Sequence, residues 1–424
     1  MIPAHKTRLG NPSRRWLIFA FAASLFFLSQ FYRVSNAVIA PQLIQDLFLD
    51  TKAIGFMSAS FFYAFALTQI PISLLLDKFG ARSMMTVLSM IGVIGAIIFS
   101  IADSLTIGVT GRALLGVGMA CNLMGSYKLI TLWFSPRSFA FMAGILVAIG
   151  TIGNMIATTP LVILVDQMGW RSGFQLIALI SFLLTFLFYI IVRDRPLQGT
   201  SDSGYAAPSM SIGQAVSNMR KLFKQKDYWI ISFATFGRYG TFAAFQALWA
   251  GPYLMEVVGL SPLATGNLIL LLNVGMIIGS PFWGALSDRL FKTRKWVIVG
   301  GTFSIAVTII ILAKIPFDTS LTAFGLLFFG FGFFNATGIL MYPHIKELMP
   351  VEMSGGAMTG INFFTMTGPA VFLQGLGALM QKLYPSASRG PEAFNAAFIV
   401  CIACLGLIAI LYCFTNEKRF DVLE

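Results

Sequence analysis

From Trp16 onward the chain alternates long apolar runs with short polar breaks. The first run, "WLIFAFAASLFFLSQFYRVSNAVIA" over 16–40, has the length that crosses a bilayer core as a helix. Runs of this kind predict twelve membrane-spanning helices, near 16–40, 53–76, 83–102, 106–133, 138–165, 171–192, 228–257, 263–286, 295–314, 319–342, 355–381 and 393–415. An even number puts both termini on one side of the membrane. The expected fold class is an all-α membrane protein.

One polar gap is long: "RDRPLQGTSDSGYAAPSMSIGQAVSNMRKLFKQKD", 193–227. It divides the chain into an N-terminal six-helix bundle (1–192), a cytoplasmic linker (193–227) and a C-terminal six-helix bundle (228–424). The halves repeat. "SLLLDKFGAR" (73–82) follows the second helix and "GALSDRLFKTRK" (284–295) the eighth, which sets Asp77 and Asp288 211 positions apart. A duplicated six-helix unit leaves this trace.

Composition agrees. The chain is 57% hydrophobic and 11% charged, against about 25% charged in soluble proteins. The net charge of +12 would point to nucleic acid in a soluble protein, but most of the 29 Lys and Arg fall in breaks on one side of the predicted spans. That is the positive-inside pattern, with the termini cytoplasmic, and it excludes nucleic acid as a partner. The first run is too long for a cleavable signal and reads as a retained helix. Cys121, Cys401, Cys404 and Cys413 lie in apolar runs and read as buried packing residues, the CxxC spacing included. His5 falls in the tail, and His344, at the end of the tenth helix, reads as a surface residue. No metal-ligand cluster, nucleophile elbow or phosphate-binding loop occurs, so the chain is not expected to be an enzyme or to need a cofactor or metal.

Four cations fall inside predicted helices: Arg33, Arg112, Lys128 and Arg238. No Asp or Glu lies near a helix centre. A charge at bilayer depth must face a cavity or a partner. Without carboxylates the natural counter-charge is the cargo, so an anionic solute is expected. Arg33 and Arg238 are 205 positions apart, close to the repeat spacing, and read as pseudo-equivalent. An arginine fork holds carboxylate or phosphate in a bidentate way. Ser29, Arg33 and Asn36 share a helix face, with the Tyr32 hydroxyl beside them. Tyr63, Gln246 and Asn362 are further candidates for a cavity wall. Lys128 reads either as snorkelling to headgroups or as a third cationic contact. Arg112 reads as structural or gating.

The chain resembles the major facilitator superfamily over essentially its whole length. The family's loop signature, G-x-x-x-D-[RK]-x-G-[RK]-[RK], is met by Asp77, Lys78, Gly80 and Arg82, with Ser73 in place of the first glycine. The second copy keeps Gly284, Asp288 and Arg289. "RALLGVGMA" (112–120) and "GWRSGF" (169–174) are also family-like. The resemblance implies two pseudo-symmetric bundles that rock about a central cavity, with the first and seventh helices facing each other across it. Asp77, Arg82, Arg112, Asp288 and Arg289 would then gate the cytoplasmic mouth. Within the family the chain looks most like the organophosphate and organic-anion branch, which carries a first-helix arginine eight residues before a proline, here Arg33 and Pro41, and a seventh-helix "RYG", here Arg238 to Gly240. One departure is the distance from Arg238 to "PYL" (252–254), several residues longer than in that branch.

These readings predict a secondary transporter of a small organic anion, a carboxylate or phosphate ester, working as a monomer by a rocker switch in a bacterial inner membrane. Its coupling is expected to be anion exchange, or symport in which the anion carries the proton. Two alternatives stay open: proton-coupled efflux of drugs or a siderophore, and an anion sensor of the same fold that moves nothing. Asn154 stands where fifth-helix exporters carry proline after glycine, which weakens the efflux reading.

Overall fold

A computed structural model describes residues 12–135, 138–194, 220–316 and 320–417. All regular elements among them are helical. The first span, α1, runs Pro12–Val34 and Asn36–Asp46, six residues past the end that the apolar pattern suggests. α2 and α3 are the two arms of Thr51–Ser100, which bends at Gly80. α4 is Leu105–Met119 followed by Asn122–Trp133. α5 is Phe139–Ile156 and the first arm of Thr159–Ile191; α6 is the second arm, beyond Gly169. α7 begins as Lys226–Ala244, inside the predicted linker, most of which lies outside the described residues, as does His5. α8 is Pro262–Ala285, extended by Leu286–Phe291. α9 is Lys295–Lys314, α10 Leu321–Asn335 continued through Ala336–Leu340 to Met341–Leu348, α11 Val351–Leu383 and α12 Pro391–Tyr412.

Among the described residues ten helical runs are long and apolar enough to cross a membrane. The other two spans are internally divided. α5 breaks at Ala157 and Thr158, and α7 passes through π turns at Phe245–Trp249 and Tyr253–Val257. A π turn takes in one more residue than an α turn. It therefore accommodates part of the extra length between Arg238 and Pro252.

The tight corners between α2 and α3 and between α5 and α6 use left-handed backbone at Gly80 (φ 80°) and Gly169 (φ 77°), where a side chain would be strained. A carboxylate secures the first corner: Asp194, just past α6, accepts the Arg82 backbone N–H at 2.9 Å. In the other half Glu417, just past α12, accepts the backbone N–H of Arg294 at 3.0 Å. These contacts mark the end of the bundle that carries both termini.

The halves touch mainly at the opposite end. Thr51 and Ser388 hydroxyls meet at 2.6 Å, and the Thr159 hydroxyl donates to Asn267 Oδ1 at 2.7 Å. Nearer the middle, the Tyr63 hydroxyl donates to Gln374 Oε1 at 2.9 Å. Among the described residues the hydrogen bonds between the halves lie at the end opposite the termini and near the middle.

His344 corrects an expectation. It is buried, not exposed, because α10 continues to Leu348 and lays it against α12. Its Nδ1 pairs with the Tyr412 hydroxyl at 2.8 Å and its Nε2 with the Asn416 carbonyl at 3.1 Å. The four cysteines are free, Cys121 and Cys401 buried and the other two half-buried.

Candidate functional site

Arg33 closes the last turn of Pro12–Val34 and reaches the seam between the halves. Its Nη1 donates to the Tyr239 hydroxyl of α7 at 3.3 Å, and its guanidinium lies over the Phe65 ring of α2 at 5.1 Å. Arg33 is 9% exposed, its Nε has no partner, and no carboxylate pairs with it among the described residues. The described arginine–carboxylate pairs sit instead at the two ends: Arg171 with Asp46, Arg389 with Glu256, and Arg294 with Asp288 and Glu347. A buried, unpaired guanidinium is costly unless a ligand completes it.

The C-terminal half also carries Tyr342 of α10, half-buried. Its hydroxyl donates to Asn362 Oδ1 of α11 at 3.0 Å. Asn362 and Tyr63 are expected at a cavity wall; Asn362 pairs with Tyr342 and Tyr63 bridges the halves. Nothing in the sequence by itself singles out Tyr239. Tyr239 could have been found by rotation, since one residue turns the helix face by about 100°, so a neighbour of Arg238 faces elsewhere.

Arg238 does not join Arg33. It is 3% exposed and turned into its own half. Its Nη2 donates to the carbonyls of Phe334 and Asn335, both at 2.9 Å, and to Thr337 Oγ1 at 2.6 Å. These groups lie where α10 passes through its 3-10 turn, Ala336–Leu340, which leaves carbonyls without α-helical donors. Gly338 makes room: a Cβ there would fall 1.8 Å from Arg238 Nη1.

Arg112 plays a matching part in the N-terminal half. It is 1% exposed, with its guanidinium 4.9 Å from the Phe61 ring centre. Its Nη1 donates to the Tyr32 carbonyl at 2.8 Å, beside the interruption of α1 at Ser35.

The remaining candidates disperse. The Tyr32 side chain is fully buried against Ser181 of α6 at 3.0 Å. Asn36 Nδ2 donates to Ser58 at 3.0 Å. Gln246 Nε2 donates to Asn273 Oδ1 at 2.8 Å inside the C-terminal half. Lys128 Nζ donates to the Leu76 carbonyl at 2.8 Å. At the termini end Arg82 donates through Nε and Nη2 to the Tyr189 carbonyl, at 3.0 and 2.8 Å, within its own half. Asp288 pairs with Arg294, also within its own half, and Arg289 is exposed. The Asp77 side chain lies outside the described residues. No group of His, Cys, Asp and Glu among the described residues is placed to hold a metal.

A family model described as Major Facilitator Superfamily matches residues 19–373 and again 231–420. The probable sulfoacetate transporter SauU of Cupriavidus necator is 25% identical, over 95% of this chain and 94% of that one. The probable galactarate/D-glucarate transporter GarP of Escherichia coli K12 is 24% identical over 92% of each. The hexuronate transporter of Bacillus subtilis is 23% identical over 84% of this chain and 86% of that one. Among solved structures, a bacterial homologue of the lysosomal transporter Spinster, described as inward-facing and unoccupied, superposes with a TM-score of 0.74, 17% identity and coverage of 95% and 97%. The nucleoside transporter NupG gives 0.76 at 13% identity, with coverage of 95% and 100%.

Proposed function

The chain belongs to the Major Facilitator Superfamily, and on that premise we propose that it carries a small organic anion across a bacterial inner membrane, with both termini in the cytoplasm. One observation carries the reading: a buried guanidinium, Arg33, stands at the seam of the two halves with no carboxylate paired to it among the described residues. An anion entering between the halves would supply the missing charge. Relatives named for sulfoacetate, galactarate or glucarate, and hexuronate support the substrate class.

The halves, 1–192 and 228–424, would act as the moving bodies, with 193–227 as the linker. Contacts at the end away from the basic loops support an inward-facing state, open on the basic side. Rocking would close that side and part the contacts at Thr51–Ser388 and Thr159–Asn267. Asp288 and Arg289, and the signature segment at Asp77 and Arg82, lie at the end that must then close. Among the described residues no Asp or Glu neighbours Arg33, which favours exchange of anions or entry of the anion with its own proton.

The test is uptake of labelled organic acids by proteoliposomes. Arg33→Ala is expected to abolish uptake while the protein stays folded and inserted. Uptake at the native rate by Arg33→Ala overturns the reading.

A further inference from the structure

Resting on that reading, we propose that Arg389 and Glu256 are positioning residues for transport: their ion pair braces the turn that presents Ser388 to Thr51, and so sets how readily the outer end, away from the basic loops, opens. Two hydroxyl contacts join the halves at that end, and they are built differently. Thr159 and Asn267 both stand on helices, α5 and α8. The two helices are close there, since a Cβ on Gly266 would fall 3.1 Å from the Thr159 backbone. That contact is aimed by the helices themselves. In the other, Thr51 opens α2 and is 1% exposed, but its partner Ser388 belongs to no helix.

Ser388 lies in the corner between α11 and α12. Two tight turns make that corner: the Ala387 N–H donates to the Tyr384 carbonyl at 3.1 Å, and the Gly390 N–H to the Ala387 carbonyl at 2.9 Å. Ser388 and Arg389 are the two central residues of the second turn, so the backbone that aims one aims the other. Arg389 Nη1 donates to Glu256 Oε1 at 2.7 Å. Glu256 comes from the last π turn of α7, Tyr253–Val257. The guanidinium thus ties the turn to a third helix, at the residue next to the one that meets the other half. The Arg389 and Glu256 side chains are 32% and 26% exposed. An ion pair this open to water adds little to the stability of a fold. It can still order a short turn. A turn left free must be fixed each time the hydroxyls meet, and that lost freedom weighs against the closed outer end. The other described arginine–carboxylate pairs have no such place. Arg171 and Asp46 join α6 to α1 within one half, and the Arg294 pairs lie at the termini end.

Opening of the outer end can be read directly. Spin labels at Phe48 and Leu263, exposed residues of opposite halves, are followed in the full-length protein in lipid nanodiscs. Arg389→Ala and Glu256→Gln are each expected to raise the long-distance population at least about threefold, the effect of weakening one hydroxyl contact. The double variant should do no more than either alone, since both remove the same pair. Arg389→Lys keeps a cation within reach of Glu256 and should stay near the native population. Uptake gives a second reading, with labelled glucarate, glucuronate or sulfoacetate, whichever the native protein carries in proteoliposomes. A larger outward-open share offers the site to external acid more often, so KM for external acid should fall by about the factor by which the population rises. The unfolding temperature should stay within about 2 °C of the native value. A native long-distance population in Arg389→Ala overturns the inference. So does a lowered unfolding temperature without a change in that population, which would make the pair a structural brace alone. Additive effects of the two substitutions overturn the pairing. If the native protein carries no organic acid, the proposed function falls, and the distances still decide the brace.

Discussion

The carbonyl of Ala37 in α1 lies so close to Gly251 of the other half that a Cβ built on the glycine would stand 1.7 Å from its oxygen. The cause is in the sequence. Pro41 has no N–H to return to the carbonyl four residues back, so that carbonyl is free to turn toward α7. Only a glycine on the facing helix lets the backbones come together.

Gly251→Val should therefore keep the halves apart at the far end. The expected result is loss of uptake by at least about tenfold, since overpacking at a backbone contact is not relieved by a rotamer change. Spin labels at Phe48 and Ser386 should report a longer distance across that end than in the unsubstituted protein. Native uptake together with a native distance would show that the contact tolerates a side chain.

Arg33→Lys keeps the charge and loses the fork. A lysine can neutralise the cargo but cannot bind it in a bidentate way. KM is expected to rise at least about tenfold, the effect of one lost charge-assisted hydrogen bond of roughly 1.5–3 kcal/mol. Steady-state uptake measures it. A KM unchanged from that of the native arginine would mean that only charge is read at this site.

Much of this architecture is legible in the chain. The period of the apolar runs, the repeat of Asp77 and Asp288, and the density of basic loops fix the helices and the likeness of the halves. The site is legible only in part. Arg33 stands out because a charge in an apolar run needs a reason, and the same logic applies to Arg112 and Arg238. Helix breaks are hidden from it. The 3-10 turn at Ala336–Leu340 creates backbone acceptors in the interior, and Arg238 satisfies them as well as any anion would. Tyr239 is hidden because a tyrosine in a membrane span is ordinary. His344 was misplaced because the polar pattern at the end of α10 hides a helix that goes on to Leu348.

Gly338→Ala tests the structural reading of Arg238. The added methyl would meet Nη1 and push the guanidinium off the α10 carbonyls. A cost of about 1–3 kcal/mol is expected, from overpacking and from carbonyls left unpaired in the interior. Thermal unfolding in detergent should shift down. If Arg238 instead served the cargo directly, Gly338→Ala would raise KM and leave the unfolding temperature in place.

The corner carboxylates give a prediction with an internal control. Asp194 holds the start of α3 through the Arg82 backbone N–H, and Glu417 holds the start of α9 through that of Arg294. Each is an N-terminal cap supplied from a distant part of its own half, so Asp194→Ala and Glu417→Ala should each cost about 1–2 kcal/mol. The two sites share no partner, so the double variant should lose the sum. Gly80→Ala should behave differently. Its methyl would come within 2.5 Å of Asp194 Oδ2, and the backbone there has φ 80°. It removes the same contact that Asp194→Ala removes, besides straining the corner. Combined, Gly80→Ala and Asp194→Ala should cost less than the sum of the two, by the share that the lost cap contributes to each. Unfolding of the single and double variants measures both cycles. Strict additivity in the second would mean that the Asp194 cap survives a side chain at position 80, and the corner would then owe its geometry to the glycine alone.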